Sequence, residues 1–347
     1  MLNLIKDDER KDWFLILKEM SQLLIKDKTL PVHYFTKFLY RKNVANINNY
    51  LSFKNEGIIM KNCYRSTPDF VDRIASDKLL FHLYTQKLSL NTPQLVGWTI
   101  GKENFINNQQ EITKVSKTEM RELLRKAIKK HGSIFCKPFR GKGGTGCFSL
   151  SEDNIDKLKL SDLNHYIYEA EIKQHSKVNE IYPNSLNTIR IITFYNNDKL
   201  SIMAGLMRFG ANNSKVDNAS LGGMFVPIDI ENKKLTQFGY SHLHHGGYKY
   251  SYHPDTKTTF NNFKIPYFNK TLQLINDSIT LFPATLVGWD IGITESGPIL
   301  VEVNSLPGLM AADISYGGLK SHPDFESLRN FVNNYGKEIK RQTVFNN

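Results

Sequence analysis

Asp290, Glu302 and Asn304 are oxygen-bearing side chains in "VGWDIGITESGPILVEVNSLPG", residues 287–308, a stretch otherwise composed of strand residues. Apolar and β-branched residues run from Leu286 to Thr294, Glu295-Ser296-Gly297 reads as a turn, and "PILVEV" resumes the pattern, which predicts a hairpin. Folding about Ser296 sets Asp290 opposite Glu302, and the two-residue period of a strand brings Asn304 to the same face. Opposed carboxylates repel unless a cation lies between them. A hard divalent ion such as Mg²⁺, which takes carboxylate oxygens, waters and nucleotide phosphates, meets that need; a solvated hairpin face is the plainer alternative.

A second group of residues suits phosphate. "CKPFRGKGGTGCFSL" carries four glycines, Gly141, Gly143, Gly144 and Gly146, with Thr145 among them. The spacing fits neither a Walker loop nor a dinucleotide fingerprint, both of which open a helix. A strand follows instead, so the loop is the tip of a β-hairpin that either folds over phosphates as a lid or is simply flexible. Lys137, on the preceding strand, would neutralise an α- or β-phosphate. In "IYEAEIKQH", Glu169 and Glu171 alternate with apolar residues, and the sequence does not decide which faces a pocket. Arg190 and Arg208 lie in apolar strand runs, where an unpaired guanidinium is costly. Each needs an anion, either a structural carboxylate or a phosphate or substrate carboxylate suited to the planar fork. The histidines of "HLHHGG" lack the partners of a zinc site.

The elements that must position these groups follow from periodicity. Residues 1–65 read as a mainly helical segment, with "WFLILKEMSQLLIK" and "PVHYFTKFLYRK" at helical spacing. "TPDFVDRIASDKLLFHLYTQKLSLNTPQLVGWTI" reads as a capped helix followed by a strand, and "SKTEMRELLRKAIKKHG" as a helix with a Ser116/Glu119 capping box that ends at Gly132. From residue 133 strands dominate, apart from helices around "FNKTLQLINDSIT" and "DFESLRNFVNNYGKEIKRQ". The fold class is α+β with mostly antiparallel strands. The expected divisions are 1–65, 66–132, 133–185 as a small subdomain, 186–330 as a large one, and 331–347 as a C-terminal helix and tail.

The chain has 347 residues, 40% of them hydrophobic, enough for two or three domains. No stretch is long and apolar enough for membrane insertion, no leader is evident, and a cytoplasmic protein is expected. Cys63, Cys136 and Cys147 form neither a disulfide framework nor a zinc site. The formal charge of +11, from 45 basic and 34 acidic residues, favours anionic partners such as nucleotides, anionic glycans or the inner membrane surface. No nucleic-acid motif accompanies it, so nucleic acid is not an expected partner.

Taken in order, "SDKLLFHLYTQKLSLNTPQ", "FCKPFRGKGGTG", "YEAEIKQH", "SLNTIRIITF", "MRFG", "VDNASLGGMFVPID", "HPDT" and the residue 287–308 hairpin resemble the ATP-grasp superfamily, closest to its sugar-transfer-associated branch. The resemblance covers roughly residues 66–310 and implies an ATP-grasp fold, two α+β subdomains clasping ATP, with the helical N-terminal segment added. It implies Lys78 and Lys137 as phosphate ligands, the glycine loop as a lid, and residues 168–172 as the adenine hinge, with Glu169 and Ile172 at the nucleotide. Asp290, Glu302 and Asn304 become Mg²⁺ ligands, and Arg190 and Arg208 hold the transferred phosphoryl group. Asp217, Asn218 and His253 match the branch as substrate contacts or loop-fixing residues. The implied activity is an ATP- and Mg²⁺-dependent carboxylate–amine ligase in polysaccharide biosynthesis. Its partners would be a glycan or small-molecule carboxylate and an amine, alongside other enzymes of that biosynthesis. An ATP-grasp phosphotransferase acting on a hydroxyl, with Asp217, His175 or His253 as base, is the alternative.

Overall fold

The computed structural model describes residue 5 and residues 7–108, 111–141 and 143–345; Lys142 of the glycine loop and residues 346 and 347 of the expected tail lie outside the described residues. Two antiparallel sheets organise the chain. The smaller has six strands, β1 (Leu95–Ile100), β2 (Glu103–Asn108), β3 (Glu111–Val115), β4 (Ile134–Pro138), β5 (Phe148–Leu150) and β6 (Tyr166–Ala170), in the order β3-β2-β1-β6-β4-β5. The expected boundary at 132/133 falls inside this sheet, because β6 pairs with β1 on one side and β4 on the other. Strands β1–β3 and β4–β6 therefore belong to one sheet, while Val71 and Phe81 of the preceding helices and Val178 and Ile181 join the core of the larger sheet. Helix Lys117–His131 covers the smaller sheet, burying Met120, Leu124 and Ile128 against Ile134, Cys136 and Tyr168. Its capping box and the positive-φ Gly132 at its end are as expected.

The larger sheet holds β7 (Ile189–Asn196), β8 (Lys199–Phe209), β9 (Met224–Asp229), β10 (Lys234–Leu235), β11 (Gly239–Tyr240), β12 (Lys249–Tyr250), β13 (Leu286–Thr294) and β14 (Gly297–Asn304). Its order is β12-β11-β9-β8-β7-β13-β14, with β10 beside β9. Ile191, Met207, Val226, Val287, Trp289 and Ile291 line one face beneath helix Phe268–Ser278. Strands β2, β3 and β10–β12, toward the outer ends of the sheets, escape a sequence reading because they are short or polar, with little burial to impose a two-residue pattern.

The N-terminal segment packs on the same sheet: Ile16, Leu23, Tyr34 and Phe38 meet Leu206 and Phe225. Lys37, fully buried, donates to Asp313 at 2.8 Å, to Glu56 at 2.9 Å and to the Leu51 carbonyl at 2.8 Å, fastening this segment to the C-terminal region. "PVHYFTKFLYRK" is helical only over His33–Thr36, since Phe38 adopts a left-handed φ of 60° that ends the helix. The expected single helix after residue 68 is two, Asp69–Ser76 and Lys78–Lys87. Asp77 is extended between them, and its carboxylate accepts from the N–H groups of Leu79 and Leu80 at 3.1 and 3.2 Å. That cap sets the direction in which Lys78 leaves the helix.

Candidate active site

The hairpin forms in the expected register, with Asp290 opposite Glu302 and Gly288 opposite Asn304. A bulge follows Asp290, so Val301 has no opposite residue. Strand β13 is buried along nearly its whole length and takes Asp290 with it, whereas Glu302 on edge strand β14 stays partly open. Asn304 Nδ2 donates to Asp290 Oδ2 at 3.3 Å.

The cation beside Asp290 is arginine. Strand β7 places Arg190 directly opposite Asp290, and its guanidinium grips both carboxylate oxygens, Nε on Oδ1 and Nη2 on Oδ2 at 2.7 Å. Arg208, from β8, adds Nη2 at 3.2 Å from Oδ2. Burial alone would raise the Asp290 pKa; the guanidiniums of Arg190 and Arg208 outweigh it and hold the carboxyl below the usual range. Of the two anions the sequence allowed for these arginines, the structural carboxylate is the one present. Among the described residues Nη1 of each arginine has no hydrogen-bond partner, so each retains donors for a ligand.

Arg208 is fixed in turn by Thr188, whose Oγ1 accepts from Nε at 3.0 Å and Nη2 at 2.5 Å and donates to Asp217 Oδ2 at 2.5 Å. Asp217 also accepts from the Thr188 N–H at 2.8 Å. Its role in the structure is therefore to fix a loop. Thr188 is a site residue the sequence reading missed, because a lone threonine before a strand carries no pattern.

Across from this hairpin lies the glycine loop, joining β4 to β5 as a hairpin tip. Gly143 and Gly144 have φ of 68° and 79°, and a Cβ on them would stand 2.7 Å from Asn218 Nδ2 and 2.8 Å from Val216 Cγ1. Only glycine allows both the left-handed backbone and this approach. Thr145 is exposed at the tip, and the Gly146 carbonyl accepts from Tyr166 at 3.1 Å. Asn218 caps its own turn by accepting from the Ser220 N–H at 2.8 Å.

Lys78 joins the two halves. Its backbone N–H donates to the Phe139 carbonyl at 2.9 Å, its Nζ donates to the Gly141 carbonyl at 3.0 Å, and the same Nζ is 3.9 Å from Glu302 Oε1. Lys137 and Glu169 share a face of the smaller sheet and pair at 2.7 Å, while His82 Nε2 lies 2.6 Å from the other Glu169 oxygen. Burial would raise the Glu169 pKa, but Lys137 and His82 bring it down to about 2. Glu169 is thus the inward carboxylate of "YEAEI", and one of its oxygens pairs with Lys137 and the other with His82. His82 was also missed; its signal was the spacing of four from Lys78, which puts both on one face of the helix. Among the described residues none bonds to the backbone N–H or carbonyl of Ile172, leaving both open at the expected hinge.

His253 stands apart. It is fully buried, stacked on Tyr182 at 4.8 Å, with Nε2 2.8 Å from the Gly210 carbonyl and Nδ1 accepting from the Asp255 N–H at 3.2 Å. Both ring nitrogens are engaged in bonds to the backbone, which ties His253 to the loops around Gly210 and Asp255. His175 caps the Ser176–Ile181 helix and lies 3.4 Å from Glu295. Among the described residues no cluster of three His, Cys, Asp or Glu could hold a metal, the "HLHHGG" histidines included.

Two antiparallel sheets, one offering a glycine-rich hairpin and the other an Asp–Glu–Asn hairpin joined to it through Lys78, make this an ATP-grasp protein. The family described as sugar-transfer associated ATP-grasp matches residues 64–324, well over half of the chain, and the chain belongs to that family. No curated protein matches it in sequence. Similar solved structures include D-alanyl-alanine synthetase A from Vibrio cholerae O1 biovar eltor, at 15% identity and TM-score 0.49, covering 78% of this chain and 67% of that one. D-alanine–D-alanine ligase from Bacillus anthracis follows at 11% identity and TM-score 0.43, covering 80% and 72%. The ATP-grasp ligase PsnB, in complex with a minimal precursor, Mg and ADP, is 11% identical with TM-score 0.41, covering 74% and 59%. These likenesses say nothing of this chain's substrates.

Proposed function

We propose that the protein is an ATP- and Mg²⁺-dependent carboxylate–amine ligase that joins a sugar acid or surface-glycan carboxylate to an amino acid or small amine. The observation that carries this reading is Asp290 clasped by Arg190 and Arg208, each with Nη1 unengaged, in register with Glu302 and Asn304. A carboxylate substrate is ionised at neutral pH and needs no base to attack the γ-phosphorus. It forms an acyl phosphate and releases ADP; an amine then displaces inorganic phosphate and loses a proton, leaving the amide.

The donors fit Mg²⁺: Glu302 is a half-open carboxylate, Asn304 offers an amide oxygen, and Asp290 Oδ1, which among the described residues accepts only from Arg190 Nε, keeps a lone pair. When bound there, the ion supplies charge neutralisation along the phosphates. The free guanidinium N–H groups neutralise the phosphoryl group in transfer, Lys78 and Lys137 attend the other phosphates, and the glycine loop, resting on residues 216–218, excludes water. The family's description as sugar-transfer associated and the +11 charge support an anionic glycan substrate.

Hydroxyl phosphorylation would need a base. Asp217, His175 and His253 are all committed to other bonds, which favours carboxylate activation. Hydroxylamine trapping with MgATP and a panel of uronic acids, sugar acids and amino acids tests the choice. Hydroxamate released with stoichiometric free phosphate is expected; ADP formed with phosphate retained on an acceptor would make the protein a phosphotransferase.

A further inference from the structure

Helix Trp13–Asp27 has two apolar faces. One, carrying Ile16 and Leu23, is buried in the core beside the larger sheet. The other points away from the protein: Phe14 is 78% exposed, Ile25 77%, Leu17 63% and Trp13 48%, with Leu24 beside them. At 100° per residue these five side chains fall within an arc of about 120°. Leu30 and Val32, just beyond the helix, extend the patch with further exposed side chains. A contiguous apolar face of this size on a charged protein marks a contact surface.

The charge around it identifies the contact. Lys18, at about 140° from Trp13 on the same projection, is exposed beside the arc and Lys28 is exposed at the helix end, and among the described residues no carboxylate pairs with either; Lys26 lies on the far side of the helix, its Nζ donating to Asn48 at 2.7 Å. Of the three acidic residues at positions 12–27, Glu19 faces inward between Lys11 and Tyr34 and Asp12 caps the helix, while Asp27, at about 320° on the same projection, lies outside the apolar arc. The surface is therefore aromatic and aliphatic at its centre and positive at its edge. A two-fold dimer through this face would bring the same lysines together, which is unfavourable.

We infer that helix Trp13–Asp27 is an in-plane anchor that seats the protein on an anionic lipid surface. The apolar arc enters the boundary between headgroups and acyl chains, and the lysines meet the lipid phosphates. Among the described residues no helix is long and apolar enough to cross a membrane, so the contact is interfacial.

The protein carries its own probe, because of its three tryptophans only Trp13 is exposed; Trp98 and Trp289 are buried. The full chain should co-sediment with vesicles of phosphatidylcholine containing phosphatidylglycerol and not with phosphatidylcholine alone, with a blue shift of Trp13 emission that high salt reverses. Lys18→Gln/Lys28→Gln should lower partitioning about twenty-five-fold, roughly fivefold per lysine, and Lys26→Gln should change it little. Phe14→Ser/Leu17→Ser/Ile25→Ser should abolish it with an unchanged thermal melt, since those side chains already stand in water. No co-sedimentation with the anionic vesicles, or an unshifted Trp13 emission in the unaltered protein, would overturn the inference. So would lipid-free self-association that the serine substitutions dissolve, which would make the face a protein interface.

Discussion

Glu302 and Asp290 sit opposite each other on the hairpin and carry the same charge. Their surroundings separate them. Glu302 is partly open, and its nearest cation, Lys78 Nζ, is 3.9 Å away, so Glu302→Gln leaves no buried charge unpaired. Its melting temperature should match that of the unaltered protein, with turnover lost. Asp290 is buried and shared by two guanidiniums, and Asp290→Asn strips Arg190 of its charge partner and leaves Arg208 with Asp217 at 3.6 Å. Breaking a buried pair in this way costs about 3–5 kcal/mol. An unfolding entropy of about 2.1 cal/mol/K per residue gives the 347-residue chain roughly 0.7 kcal/mol/K, so the midpoint should fall by about 4–7 °C. Calorimetric melts alongside phosphate-release assays read both quantities on the same samples. An Asp290→Asn protein that melts within a degree of the unaltered one, or a Glu302→Gln protein that still turns over, would refute the reasoning.

Lys137→Ala should weaken ATP binding by about ten- to a hundredfold, the worth of a charge-assisted hydrogen bond, and titration calorimetry would remove Lys137 from the nucleotide site if the affinity did not change. Arg208→Lys should depress kcat by roughly a hundredfold with little change in the KM for ATP, since an ammonium cannot serve Thr188 and Asp290 and still present a free fork to the phosphoryl group. Stability should fall on acidification in two stages. Burial lowers the pKa values of His33 and His242 to about 4, so the stability of their neutral folded forms is complete above about pH 6.5 and lost toward pH 4, with a slope approaching about 2.7 kcal/mol per pH unit. Glu169, held at about 2, adds a loss that begins only below about pH 4.5; urea midpoints against pH should show both stages, and His33→Gln with His242→Gln should flatten the first.

The large-scale order of the fold was legible because its main strands are long and apolar: β7, β8, β9, β13 and β14 were all readable, as was the Asp290–Glu302 register. The capping box at Ser116 and Glu119 fixed the start of its helix for the same reason, a local pattern with a local cause. What escaped depends on contacts remote in sequence. Nothing near residue 132 announces that β1 and β4 flank the same strand, since pairing through β6 is decided about thirty residues later. The break at Asp77 depends on a side chain choosing to cap the next helix over continuing the previous one.

The site shows the same limit in its charges. Sequence presents Arg190, Arg208, Lys78 and Lys137 as cations in search of phosphate, yet in the fold each already has an acid near it: Asp290 for the arginines, Asp217 beside Arg208, Glu302 near Lys78 and Glu169 on Lys137. The four cations and four carboxylates thus nearly balance in charge, and the opposed carboxylates of the hairpin have cations beside them. That balance also sets the terms for a nucleotide. Each phosphate that enters must draw on donors the carboxylates leave free, Nη1 of the two arginines above all, and each ion must draw on lone pairs the arginines leave free. A bare polyphosphate would upset the balance, and so would a bare cation. Entering together they would preserve it, and under the proposed function the same carboxylates that hold the arginines in place would take part in holding the metal.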